Sequence, residues 1–142
     1  VTLIETLEAS TLAEHLRRSR WTYPLVNAGH VAGIAMLFGA VVPMAVVSLR
    51  DARAGSALIR TLRPFAVAGL ILAVLCGSLL FIAQAGDYVG NGWFQAKLLL
   101  IALALVNAGW HLRDRELSAL AGLASILLWS GALIAGRMIG YS

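Results

Sequence analysis

The stretch from Trp21 to Leu49, WTYPLVNAGHVAGIAMLFGAVVPMAVVSL, constrains this chain more than any other part of it. Its interior is apolar apart from Asn27 and His30, which lie one helical turn apart. About 20 residues are enough for a helix to cross a bilayer core, so a run this long reads as a membrane span that tilts, bends or projects. Composition extends that reading to the whole chain, which is 60% hydrophobic and 13% charged, against about 25% charged residues in soluble domains. The expected solvent is therefore the lipid bilayer. The net charge of +4 comes largely from arginines flanking apolar runs, the pattern of membrane-span flanks, and does not point to nucleic acid.

The expected fold class is all-α: an integral membrane four-helix up-down-up-down bundle with an N-terminal amphipathic interfacial helix. Residues 1–20 supply that leading helix, with Leu3, Ile4, Leu7, Leu12 and Leu16 on one face and Glu5, Glu8, Glu14, Arg17 and Arg18 on the other. They lack the apolar core of a signal peptide. Ser10 or Thr11 could cap a second short turn, with Glu14 in the capping-box position. The bundle occupies residues 21–142, with spans at about 21–49, 64–85, 93–111 and 117–140. Trp21 and Tyr23 suit headgroup level, and Pro43 is placed to kink the far end of the first span.

Residues 50–63, RDARAGSALIRTLR, read as a connection, with Pro64 opening the second span. The glycine-rich GDYVGNG at 86–92 reads as a turn. Small residues at Gly29, Gly33, Gly136 and Gly140 form ridges suited to close helix packing, hence a homo-oligomer or a subunit of a larger membrane complex. Arg50, Arg53, Arg60, Arg63, Arg113 and Arg115 crowd the two connections on one side, which favours both termini on the non-cytoplasmic side. The segment LVNAG occurs at Leu25–Gly29 and again at Leu105–Gly109, but it opens one helix and closes the other, so it does not mark a duplication.

Chemistry has few residues to use. There is no phosphate-binding glycine loop, no Cys-x-x-Cys and no carboxylate within the spans. What remains are histidines in an apolar setting, where polar side chains are costly and tend to be functional. His30 lies about 13 Å into the first span and His111 about 27 Å along the third, so they differ in depth by about 13 Å. That separation strains any single haem or metal ion held between them. The cofactor-binding candidates are His30 with Asn27, Arg137 and Lys97 on the terminal side, and His111 with Asn107 on the other. His30 and His111 are also the candidate metal ligands.

A b-type haem on His30 could have its propionates held by Arg137 or Lys97, since guanidinium matches paired carboxylate oxygens. His15, a partner subunit or an open position would complete its coordination. Copper is an alternative, because imidazole suits several transition metals, and so is no cofactor at all. In that last case His30 is a neutral imidazole bonded to a carbonyl, bridging two helices. Likewise, Arg137 could simply snorkel to the interface, and Cys76 reads as a small packing residue.

WTYPLVNAGH at 21–30, the arginine-rich connection ending in Arg63-Pro64, Phe94-Gln95-x-Lys97-Leu98, and Asn107 with His111 together resemble a family of uncharacterised bacterial four-helix membrane proteins, a domain of unknown function. That likeness implies a bacterial cytoplasmic membrane location. More remotely, the pattern is similar to the copper-resistance CopD and di-haem cytochrome b membrane bundles, which implies haem or copper handling and electron transport. The expected function is a small redox or cofactor-binding membrane subunit. The alternatives are a non-catalytic assembly partner and a copper-handling component.

Overall fold

The structure is a computed structural model that describes residues 2–114 and 116–142. All regular structure among the described residues is helical: α1 (Leu3–Glu8), α2 (Thr11–Arg18), α3 (Thr22–Arg50), α4 (Ala52–Ala83), α5 (Ala85–Val89), α6 (Gly92–Trp110) and α7 (Ala119–Met138), followed by a 3-10 turn at Ile139–Tyr141. Four of these, α3, α4, α6 and α7 with its 3-10 extension, are long and apolar enough to cross a membrane.

Small residues fill the interior and large ones cover the outside. The buried apolar positions are mostly alanines, among them Ala40, Ala45, Ala66, Ala73, Ala104, Ala121, Ala132 and Ala135. Leu75, Leu99, Val106 and Leu127 are meanwhile 61%, 61%, 64% and 69% exposed. Water would penalise that distribution. Lipid does not, because apolar side chains gain nothing by leaving it, and close backbone approach through Gly and Ala then drives helix packing. The fold therefore defines a membrane protein. Leu37, Ala40, Ala66, Ala104 and Trp129 form the central layer where α3, α4, α6 and α7 meet.

Helices α3 and α4 run antiparallel in near backbone contact. A Cβ built on Gly33 would lie 2.5 Å from the Ala73 nitrogen and 2.7 Å from the Gly69 oxygen, and one built on Gly29 would lie 2.8 Å from Cys76 Sγ. The Gly29/Gly33 ridge is thus filled by α4 of the same chain and is not free for a second subunit. Helices α6 and α7 are joined by Asn107, whose amide donates to the Ala121 carbonyl (3.2 Å) and the Ser125 hydroxyl (3.0 Å). Gly122 of α7 packs against Ala45 of α3, which brings the two pairs together.

Residues 50–63 depart most from the sequence expectation. Asp51 alone separates α3 from α4, and the arginine-bearing stretch is helical from Ala52. Its physical cause is local. The Asp51 carboxylate accepts from the Arg53 and Ala54 amides at 2.9 and 3.3 Å, which starts the next helix at once. Gly55 then lets α4 lie directly on Ser48 of α3, and Ile59 is buried. Pro64 lies inside α4 and does not open it, just as Pro43 lies inside a continuous α3.

The leading segment forms two helices, since Ser10 ends α1 and caps α2 by accepting from the Ala13 amide. Glu14, expected to complete a capping box there, pairs with Arg18 at 2.9 Å instead. The capping box forms one helix earlier, between Thr2 and Glu5. Helix α1 docks on α5 and on the end of α4, and α2 docks on α4, with Ala13 and Leu16 buried. Arg17 donates to the Ala83 carbonyl and to the Glu8 carbonyl, each at 2.8 Å, and Glu8 accepts from the Gly86 amide at 2.7 Å. A basic group on the last carbonyls of α4 also opposes that helix's negative end. Docking also accounts for α5: residues 85–89, within the expected turn, wind into a short helix whose first residue, Ala85, is fully buried.

Candidate functional site

His30 emerges from α3 opposite Gly77 of α4. Its Nδ1 lies 2.7 Å from the Ala73 carbonyl oxygen. A carbonyl only accepts, so Nδ1 carries a proton and donates this bond, and in the neutral imidazole Nε2 keeps its lone pair. Gly77 makes this contact possible, because a Cβ there would fall 3.0 Å from the imidazole Cε1 and 3.2 Å from Nδ1. The Ala73 carbonyl already accepts from the Gly77 amide as part of α4, so the imidazole is a second partner on its spare lone pair.

His30 also lines a cavity of about 250 Å³ between the two helix pairs. Asn27, Lys97 and Arg137 line it too, so the structure brings together four of the six residues singled out from the sequence. Phe81, Tyr88 and Phe94 form one wall. The two phenylalanine rings stack with centroids 5.5 Å apart, and Tyr88 sits 5.4 Å from Phe94. Burial, reinforced by the neighbouring Tyr23, raises the Tyr88 phenol above its ordinary value, so it stays neutral at physiological pH.

The stem of Lys97 lies along Gly136, whose missing side chain leaves room for it. Its ammonium makes no hydrogen bond or ion pair among the described residues. Arg137 is exposed, donates to the Tyr141 hydroxyl at 3.1 Å and lies over the Tyr141 ring at 5.2 Å. Among the described residues no carboxylate lines this cavity.

Asn107 and His111 lie elsewhere. They line a second, mainly apolar cavity of about 160 Å³, toward the Asp51 end of the molecule, together with Leu37, Met44, Arg63 and Trp129. His111 Nδ1 pairs with the Asp114 carboxylate at 2.6 Å, and Arg63 donates to the Leu112 carbonyl at 3.1 Å. The Asn107 side chain turns to α7 and not to His111. His15 lies 3.2 Å from the Thr22 hydroxyl and does not line the His30 cavity.

A b-type haem fits this donor set poorly within one chain. Among the described residues one imidazole and no second histidine, methionine or cysteine line the His30 cavity, which falls below the roughly 300–1,000 Å³ of ordinary ligand pockets. Among the described residues no three His, Cys, Asp or Glu side chains gather into a metal-binding group.

Sequence reasoning missed the aromatic wall, because Tyr88 sits in a stretch that reads as a turn. It also saw Gly77 only as one of several small residues, and nothing in the spacing pairs it with His30. Comparison with protein-family models, with curated proteins and with solved structures gives no match to this chain.

Proposed function

We propose that this protein is a non-catalytic subunit of a membrane assembly, with an up-down-up-down bundle of α3, α4, α6 and α7 and with α1 and α2 lying as an amphipathic strap in the interface. Its membrane is a bacterial cytoplasmic membrane, with both termini on the non-cytoplasmic side. His30 is a helix bridge in this reading. The observation that carries it is the Nδ1–H bond to the Ala73 carbonyl across Gly77, which satisfies the imidazole's donor within the chain. The broad lipid-facing rows of Leu and Val on α4, α6 and α7 supply the surface for partner helices.

Interhelical hydrogen bonds in membranes are worth about 0.6 kcal/mol on average and reach about 1.7 kcal/mol. His30→Ala is therefore expected to lower stability in detergent by that order, and the purified wild-type protein to be colourless. A Soret band that disappears in His30→Ala would refute the reading.

A second reading keeps one specific observation in its favour. The lone pair on His30 Nε2 belongs to a residue lining the same cavity as Lys97 and Arg137. A b-type haem or another redox cofactor shared with a second subunit would use that nitrogen, and a copper-handling role would use it too. Visible absorption and elemental analysis of the purified protein separate these cases.

A further inference from the structure

The geometry points to an anion site in the terminal-side cavity that takes the phosphate group of an acidic membrane lipid, with Lys97 and Arg137 as its cations. Three observations converge on it. The cavity carries two positive groups on neighbouring helices, one on α6 and one on α7, and no carboxylate among the described residues. Lys97 has no internal partner among the described residues, although it is half-buried and held in place along Gly136. A half-buried ammonium in the same cavity as a second cation leaves positive charge unbalanced, which an anion offsets.

The third observation is level. Lys97 lies about 8 Å from the start of α6, and Arg137 in the last turn of α7, so both sit within reach of the headgroup layer. Trp21, Trp93 and Tyr141 surround that end as exposed aromatics, the arrangement found at the membrane–water boundary. The cavity itself, about 250 Å³, accommodates a phosphate and its glycerol linkage, while the acyl chains would lie along the exposed apolar faces outside. Asn27 of α3 lines the same cavity and offers a neutral donor. The site does not depend on the role assigned to His30.

The test uses the full chain in nanodiscs of phosphatidylcholine with increasing phosphatidylglycerol, with lipid retention read by native mass spectrometry after release. Wild type is expected to retain phosphatidylglycerol over phosphatidylcholine. Lys97→Met and Arg137→Met should each lower that preference about fivefold, and the double variant about 25-fold, as expected for about 1 kcal/mol per cation at a membrane surface. Lys97→Arg should restore it, and Arg113→Gln, at the opposite end, should leave it unchanged. Equal retention by wild type and Lys97→Met would overturn the proposal. So would stabilisation by inorganic phosphate in pure phosphatidylcholine nanodiscs as large as that by phosphatidylglycerol, which would identify a soluble anion as the ligand. A porphyrin co-purifying in the cavity would overturn it as well.

Discussion

Replacing Gly33 by alanine tests the contact on which the rest of the fold is built. The added Cβ would lie 2.5 Å from the Ala73 nitrogen, 2.7 Å from the Gly69 oxygen and 2.9 Å from the Ala73 Cα. All three are backbone atoms in the middle of α4, so no side-chain rotation can relieve the clash. Favourable carbon contacts lie at about 3.5–4.0 Å. The helix axes must therefore separate locally by about 1 Å.

Gly39, on the same helix, provides the control, because a Cβ there meets nothing within 4 Å. Both substitutions gain the same helix propensity, about 1 kcal/mol, so their difference isolates the packing cost. Overpacking of this kind costs about 1–3 kcal/mol. Gly33→Ala is thus expected to be less stable than Gly39→Ala by about 1–3 kcal/mol, while Gly39→Ala matches or exceeds wild type. Unfolding in mixed micelles with increasing denaturing detergent, followed by circular dichroism, measures the gap. The imidazole proton of His30 should shift in the same variant, because its acceptor is the residue that Gly33 packs against. Equal unfolding midpoints for the two variants would refute the close α3–α4 contact and, with it, the geometry of the His30 bridge.

Three further outcomes are expected. Asn107→Leu removes both bonds to α7, to the Ala121 carbonyl and the Ser125 hydroxyl, and should cost about 1–2 kcal/mol in the same unfolding assay; no change would show that α6 and α7 are held by packing alone. Arg17→Met frees the last carbonyl of α4 and the Glu8 carbonyl, so limited proteolysis should cut between α1 and α3 faster while the four long helices stay protected. The raised Tyr88 phenol means that the folded state holds this proton more tightly than the unfolded chain. Its contribution to stability is full below the ordinary tyrosine value of 10.0 and is lost as pH rises through the higher folded value; near-ultraviolet titration should show one tyrosine ionising late, and Tyr88→Phe should remove that step.

Much of this molecule can be read from its residues because lipid leaves the backbone only one open choice. Four apolar runs of sufficient length, with too little alternation for strands, have to be helices, and the ends of α6 and α7 fall within two residues of where hydropathy and turn residues place them. The gathering of Asn27, His30, Lys97 and Arg137 also followed from counting residues along antiparallel spans. Other features were hidden. The arginines of residues 50–63 look like a loop because charge is the visible signal there, whereas Asp51 capping and the Gly55–Ser48 contact decide for helix. The glycines at 29 and 33 announce a close helix partner without naming it, and the answer, α4 of the same chain, lies about 40 residues away.

By itself, then, the sequence determined the apolar character of the chain, the long helices and the level of each polar side chain along its own helix, since these depend on composition and on a fixed rise per residue. The tertiary structure decided which surfaces meet and therefore what each polar group touches. It set His30 against Gly77 and left Lys97 beside an open cavity with no ion-pair partner among the described residues. Those outcomes depend on how two helix pairs rotate about their own axes, which small-residue contacts between distant parts of the chain determine and which no local pattern encodes.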